Sequence, residues 1–418
     1  MIEASTGRAA GNVNQIYGRI GQDFSERVRC YMKIVFVSNY FNHHQKPFCE
    51  ELYQRLGSDF TFISTTVMRE ERRKLGYAQD NPPYVLLCYE GEEQRKKALF
   101  LINDADVVIA GGVPSDILKD RIRQNKLLFR YTERPFKKKI SYLKKFYHGI
   151  KLNKRDMGNK NIYMLCASAY AAGDYAGVGL YKNRAYKWGY FPAVNEYDTD
   201  SLMSQKKTNT IMWCGRFIDW KHPDDVITLA AKLKSAGYDF LLNIVGGGVM
   251  EEELKQLSYD LGVSDKITFL GSMPPEKVRT YMEEAGIYLF TSDRQEGWGA
   301  VLNESMNSGC AVVTSHAVGS APFLVRDGEN GFLYESENTE MLFDKVKYLL
   351  DHPEEQKRLG SAAYETMTGL WNAKTAASRF LQLSEKLLSG ENNPGLFEDG
   401  PCSKAEILKD NWFKENKE

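Results

Sequence analysis

Glu296 and Glu304 stand with seven residues between them, and Gly297 and Gly299 lie just past the first of the two. A glycine lets the backbone N–H groups around it approach an anion closely, and a helix opening at Ala300 adds its positive end to the same place. Glu296 falls in the loop itself, whereas Glu304 falls more than a turn into that helix. Two carboxylates so placed are not a side-by-side acid/base dyad. They are separate acceptors that reach different hydroxyl groups of one long ligand. The positions Gly297, Trp298, Gly299 and Ala300 then face the ligand. Upstream, the stretch Ile211-Met212-Trp213-Cys214-Gly215-Arg216-Phe217-Ile218-Asp219-Trp220-Lys221 brings a guanidinium and an ammonium to one edge. Arg216 offers a planar fork for paired oxygens and Lys221 a compact charge.

The elements that must hold these groups are legible from apolar runs. Runs at 286–290 and 311–314 have strand length and turn residues on both sides, while Val301, Leu302 and Met306 suit one packed helical side that stops at Gly309. In an open α/β sheet the loop after a strand's carboxyl end is where ligands bind. Gly247, in the Gly246-Gly247-Gly248 turn after a strand at 239–245, shares that edge. Further strands are expected at 209–214 and 266–270, with helices at 337–350, 353–369 and 373–389. The N-terminal half alternates similarly, with strands at 33–38, 60–65, 84–88, 106–110, 127–131 and 162–166 and helices at 92–103, 114–124, 141–147 and 167–172. This is the pattern of doubly wound parallel sheets.

The Glu296-x7-Glu304 spacing, the Gly-x-Gly loop, Gly319 and Asp327-Gly328-Glu329-Asn330-Gly331-Phe332-Leu333 together resemble the large fourth family of retaining, nucleotide-sugar-dependent glycosyltransferases. That resemblance covers roughly 32–389 and is strongest at 209–333. It implies the GT-B fold, two Rossmann-like domains facing a central cleft, with the donor mainly on the second domain and the acceptor on the first. Arg216 and Lys221 would bind the donor diphosphate, Glu304 the ribose and Glu296 the donor sugar. Met273, after the strand at 266–270, would border the base. No metal and no cofactor beyond the nucleotide sugar, a UDP-sugar by family-level guess, would be needed. The acceptor would be a saccharide or a lipid-linked glycan. Expected boundaries are a leader or mis-called start at 1–31, an acceptor domain at 32–195, a nucleotide-sugar domain at 208–372, a helix at 373–389 crossing back to the first domain, and a loosely held tail at 390–418. Truncation to Met32 is expected to leave activity intact.

Two loops of the first half carry further candidates. Relatives hold a glycine-rich loop after the first strand, but here Asn42, His43, His44 and Gln45 stand in it, so close backbone contact with phosphate is in doubt and Asn42 and His43 are side-chain candidates. Glu133, after the strand at 127–131, is a candidate on the acceptor side, and Arg134 a second. Asp104-Ala105-Asp106 and Asp198-Thr199-Asp200 resemble metal-holding Asp-x-Asp pairs, but the first lies at the wrong end of its strand and the second in a connector, so both read as structural.

The balance of 55 Lys+Arg against 55 Asp+Glu excludes wholesale nucleic-acid binding. Seven scattered cysteines without a Cys-x-x-Cys fit reduced thiols and a cytoplasmic setting. Residues 137–155 read as a basic amphipathic helix, either packed on its own sheet or in peripheral contact with the inner face of a membrane. Rival functions are a sugar-nucleotide epimerase, which would convert donor without acceptor, and a non-catalytic nucleotide-binding partner subunit.

Overall fold

The computed structural model describes residues 32–70, 81–138 and 140–415. The expected leader, Lys139 of the basic run and the last three residues of the tail lie outside the described residues.

Two parallel sheets organise the chain. The first has the order β3-β2-β1-β4-β5-β6-β7, built from β1 (Ile34–Ser38), β2 (Phe60–Ser64), β3 (Val85–Leu87), β4 (Val107–Ala110), β5 (Leu128–Thr132), β6 (Ile162–Cys166) and β7 (Ala185–Lys187). The second has the order β10-β9-β8-β11-β12-β13, from β8 (Lys207–Cys214), β9 (Leu241–Val245), β10 (Ile267–Gly271), β11 (Ala285–Phe290), β12 (Ala311–Ser315) and β13 (Phe332–Tyr334). β7 and β13 were not among the expected strands; each is short and sits at a sheet edge.

Burial on both faces explains why the strands read as unbroken apolar runs. In β1, Ile34 and Phe36 enter one core cluster, and Val35 and Val37 enter the cluster on the other face. In β11 the same period of two sends Ile287 and Leu289 to the outer face and Tyr288 and Phe290 to the inner one. The inner-face residues of both sheets belong to one continuous cluster, joined by Trp188, Phe191, Trp298, Trp371 and Phe380. The cleft therefore has an apolar floor that both sheets share.

The helix Ala373–Leu388 extends that floor. Its Phe380 ring lies 5.1 Å from Phe129, 5.9 Å from Trp188 and 6.1 Å from Phe48, so a helix that follows the second sheet packs on the first.

Several local expectations are corrected. The span 114–124 is a 3₁₀ turn at Ser115–Leu118 leading into a short helix, Lys119–Arg123. The helix expected at 141–147 continues well beyond that bound, over Tyr142–Asp156. The polar connector contains a helix, Thr199–Ser204, whose cap Asp198 accepts from Ser201 N at 2.9 Å. The tail is not loosely held. Tyr186 bridges Lys404, Ser403 O accepts from Lys187 N at 2.8 Å, and Cys402, Ser403 and Phe413 are buried. Its backbone bonds to a strand edge leave no periodic signature, which is why composition alone suggested a loosely held tail.

Candidate active site

The carboxyl ends of β8, β9 and β10 are laced into one surface. Gly215 N donates to Val245 O at 3.0 Å, Phe217 N to Gly247 O at 3.0 Å, and Gly246 N to Gly271 O at 2.9 Å. These bonds put Arg216, Gly247 and the partly buried Met273 along a single edge. Arg216 is exposed, and its guanidinium makes no hydrogen bond or ion pair with the described residues; it lies 5.7 Å from the centre of the Trp220 ring.

The Asp219–Lys221 turn is fastened to the loop after β11. Trp213 Nε1 donates to Thr291 Oγ1 at 2.9 Å, Thr291 Oγ1 to Lys221 O at 2.7 Å, and Asp293 N to Trp220 O at 3.0 Å. Lys221 Nζ stands 4.9 Å over the Trp220 ring and pairs with Glu296, both side chains being nearly buried. Ser292 Oγ also donates to Glu296, at 3.2 Å. Trp220 thus meets both cations, a role its spacing did not announce. His222 follows in the left-handed region at φ 48°. The Asp293 carboxylate, 3.7 Å from His222 Nε2, raises the imidazole pKa against the opposing effect of burial.

Glu304 projects from the helix Ala300–Asn307. Its carboxylate makes no hydrogen bond to the described residues, and burial pushes its pKa up against the pull of the Arg279 guanidinium. Neighbouring Cys214 and Tyr288 feel the same charge. An acceptor left open in a desolvated place is what a ligand hydroxyl requires. Gly299, at φ 87°, caps that helix without a side-chain hydrogen bond, and no acidic residue occupies the first turn. The N-terminal N–H groups and the positive end of the dipole are thereby left to an anion.

The first sheet contributes Glu133, directly after β5. A Cβ on Gly297 would lie 1.8 Å from Glu133 Oε2, so only glycine lets this carboxylate sit against the loop. Tyr190 Oη donates to Glu133 Oε1 at 2.6 Å, and Lys137 pairs with Oε2 at 2.5 Å. Burial, then the adjacent Glu133 charge, drives the Tyr190 pKa well above its ordinary value; Glu296 adds to the effect. More bonds cross nearby, from Ala169 N to Gly319 O at 2.8 Å, Asn303 Nδ2 to Tyr190 O at 3.3 Å and Arg294 to Phe136 O at 3.1 Å. The two loop edges face one another in contact.

Other candidates are placed differently. Trp298 is fully buried; its indole donates to Asn303 at 2.8 Å and packs against Trp371 and Phe323, so its side chain is core and only its backbone can face a ligand. Asn42 is committed to the turn, its Oδ1 accepting from His44 N at 3.0 Å. The His43 and His44 rings are 3.8 Å apart and tilted at 47°, and it is His44 that stacks on Tyr190, at 5.5 Å and 16°. Arg134 is buried between Asp174 and Asp410 and beneath Tyr170. Asp104 and Asp106 are taken by Lys33, through its ammonium and its backbone N–H. No three His, Cys, Asp or Glu side chains converge among the described residues.

Residues 195–366 match the model of glycosyl transferases group 1. The match spans 172 of the 418 residues, so it marks this part of the chain as similar to that family. The chain is 26% identical over 176 residues to the GDP-mannose-dependent alpha-(1-6)-phosphatidylinositol monomannoside mannosyltransferase of Mycobacterium tuberculosis, covering 41% of the chain and 46% of that protein. With the D-inositol 3-phosphate glycosyltransferase of Corynebacterium aurimucosum it shares 30% over 164 residues, 38% of each. The chain thus spans about half or less of the curated relatives it matches. Anabaena HepE, solved in complex with UDP, superposes with a TM-score of 0.61 at 16% identity, over 86% of this chain and 100% of that one. The fold is GT-B, with two Rossmann-like parallel-sheet domains.

Proposed function

We propose that the chain is a retaining glycosyltransferase that moves a sugar from a nucleoside-diphosphate sugar to a hydroxyl acceptor. The observation that carries this reading is the Lys221–Glu296 pair with Arg216 across Trp220, beside an uncapped helix end, and with Glu133 of the other sheet against Gly297.

Arg216 and Lys221 neutralise the charge that gathers on the leaving diphosphate, and the N–H groups at Ala300 add donors to it. This arrangement supplies the positive charge without a divalent cation. Glu304 takes the ribose hydroxyls and Glu296 those of the donor sugar, while Lys221 holds the Glu296 carboxylate in place. The glycosidic C–O bond breaks with its electron pair leaving on the diphosphate. The acceptor oxygen bonds to the same carbon on the face the diphosphate leaves, and its proton passes to a diphosphate oxygen. Glu133, already engaged by Tyr190 and Lys137, orients the acceptor side. The acceptor is a saccharide or a lipid-linked glycan, and the reaction belongs on the cytoplasmic side of a membrane. The names of the relatives, a GDP-mannose-dependent enzyme among them, and the UDP held by HepE support a nucleotide-sugar donor and point to both bases.

Thermal shift against UDP- and GDP-sugars tests the reading, since a ligand at a hundred times its Kd adds about 2.7 kcal/mol of apparent stability. One donor should raise Tm and be consumed only with an acceptor, in the presence of EDTA, giving a product with the donor's anomeric configuration. Arg216→Ala should lower kcat/KM by about 100- to 1000-fold. Conversion of donor without acceptor would favour an epimerase, and binding without turnover a non-catalytic subunit.

A further inference from the structure

The helix Tyr142–Asp156 turns its apolar stripe to solvent. Its inner side is defined by Gly149 against Val178, Leu152 against the core, and Asp156, which pairs with Arg130 and Arg155. On the opposite side Leu143, Phe146, Tyr147 and Ile150 are 68%, 56%, 70% and 50% exposed. Their steps of three and four residues make one continuous stripe. Sidedness alone therefore does not describe this helix as a surface helix resting on its own sheet; such a helix would have the reverse pattern.

The charges around that stripe have one sign. Between 137 and 155 there are seven lysines, Arg155 and no Asp or Glu. Lys144, Lys151 and Lys154 are exposed and have no ion pair among the described residues. We propose that this face seats on an anionic bilayer surface, Phe146 and Ile150 entering the interface and the lysines meeting lipid phosphates. Rings and aliphatic chains between unpaired ammonium groups are the composition such an interface selects. Among the described residues no helix is long and apolar enough to cross a membrane, so contact here is peripheral.

The position of the helix gives the contact a use. Lys137, at the head of the basic run, pairs with Glu133, and Phe136 O accepts from Arg294 of the donor loop. A lipid-linked acceptor in the bilayer then presents its head group at the mouth of the cleft. This last step rests on the proposed function; the membrane contact itself does not.

The full chain should sediment with vesicles of phosphatidylcholine and phosphatidylglycerol and remain in solution with phosphatidylcholine alone. Phe146→Ser/Ile150→Ser and Lys144→Glu/Lys151→Glu should each lower the partition coefficient at least about tenfold. Both should keep the wild-type Tm, because none of the four side chains supports the core. Equal partition of wild type and variants would overturn the proposal. So would a concentration-dependent dimer in sedimentation velocity that disappears in Phe146→Ser/Ile150→Ser, which would assign the stripe to a second copy. Because vesicle partition uses no nucleotide, failure of the donor screen and failure of this test are distinguishable.

Discussion

Gly297→Ala isolates the contact on which the closed cleft depends. The added methyl would fall 1.8 Å from Oε2, 2.1 Å from Cδ and 2.6 Å from Oε1 of Glu133, so the whole carboxylate must leave. The backbone at 297 is not in the left-handed region, and the methyl meets nothing closer than that carboxylate. Displacement breaks the Tyr190 hydrogen bond to a charged group, a loss of about 1.5–3 kcal/mol. It also breaks the Lys137 pair, whose side chains are 41% and 27% exposed. Solvent screening limits that pair to about 1 kcal/mol or less. The sum, about 2–4 kcal/mol, corresponds to a fall of about 30- to 900-fold in kcat/KM. Glu133→Ala removes the obstruction, so adding Gly297→Ala to it should have little further effect. The assay is kcat/KM for wild type, both single variants and the double variant, with the donor selected by thermal shift. Strong non-additivity is expected, with the double variant no worse than Glu133→Ala. If the two penalties simply add, Glu133 does not rest on the donor loop during turnover and the cleft architecture argued above is wrong.

Folding lifts the pKa of Glu304, so ionisation of this carboxyl works against the fold. The neutral form's benefit is complete below the ordinary carboxylate range and is lost as pH rises through the folded value. Glu304→Gln should therefore raise the Tm of the ligand-free protein at mildly alkaline pH, with the gap closing on acidification, while abolishing the nucleotide-induced shift; a lower Tm throughout would show that the carboxylate has a structural partner. Arg134→Ala leaves Asp174 buried without its cation and should cost about 3–5 kcal/mol in urea unfolding. Asp410→Ala, which removes a half-exposed partner from the same guanidinium, should cost about 1 kcal/mol or less. Equal effects of those two changes would contradict the assignment of Arg134 to the core.

The strands and the donor edge were legible because their causes are local. Val35 and Val37 are apolar whichever sheet receives them, and a glycine after a strand marks a turn wherever the strand lies. Arg216 and Lys221 could be read as a pair because five residues of one turn bring them together. Trp298 could not be read correctly. Its place in the ligand loop marked it as a ligand-facing position, whereas Tyr190, Phe323 and Trp371, distant in sequence, enclose its ring. Arg121 illustrates the same limit. It is a charged residue in a charged segment, yet it is fully buried because carbonyls of Ile102, Ala105, Asp106 and Leu127 converge on its guanidinium.

What sequence proximity cannot reveal is therefore the half of the site that belongs to the other sheet. Glu133 was visible as a carboxylate at a strand end, but its partners, Tyr190 beyond β7 and Gly297 in the donor loop, are 57 and 164 residues away. His44 was not among the candidates, yet it is the imidazole that stacks on Tyr190. Of these contacts, the one between Glu133 and Gly297 exists only when the two edges are closed. A substitution such as Gly297→Ala should then weaken group transfer far more than it weakens the fold, because the shared apolar floor at Trp188, Trp298 and Phe380 is left untouched. A site divided between two sheets places its specificity in the closure, and the glycine opposite Glu133 is where that closure can be separated from stability by experiment.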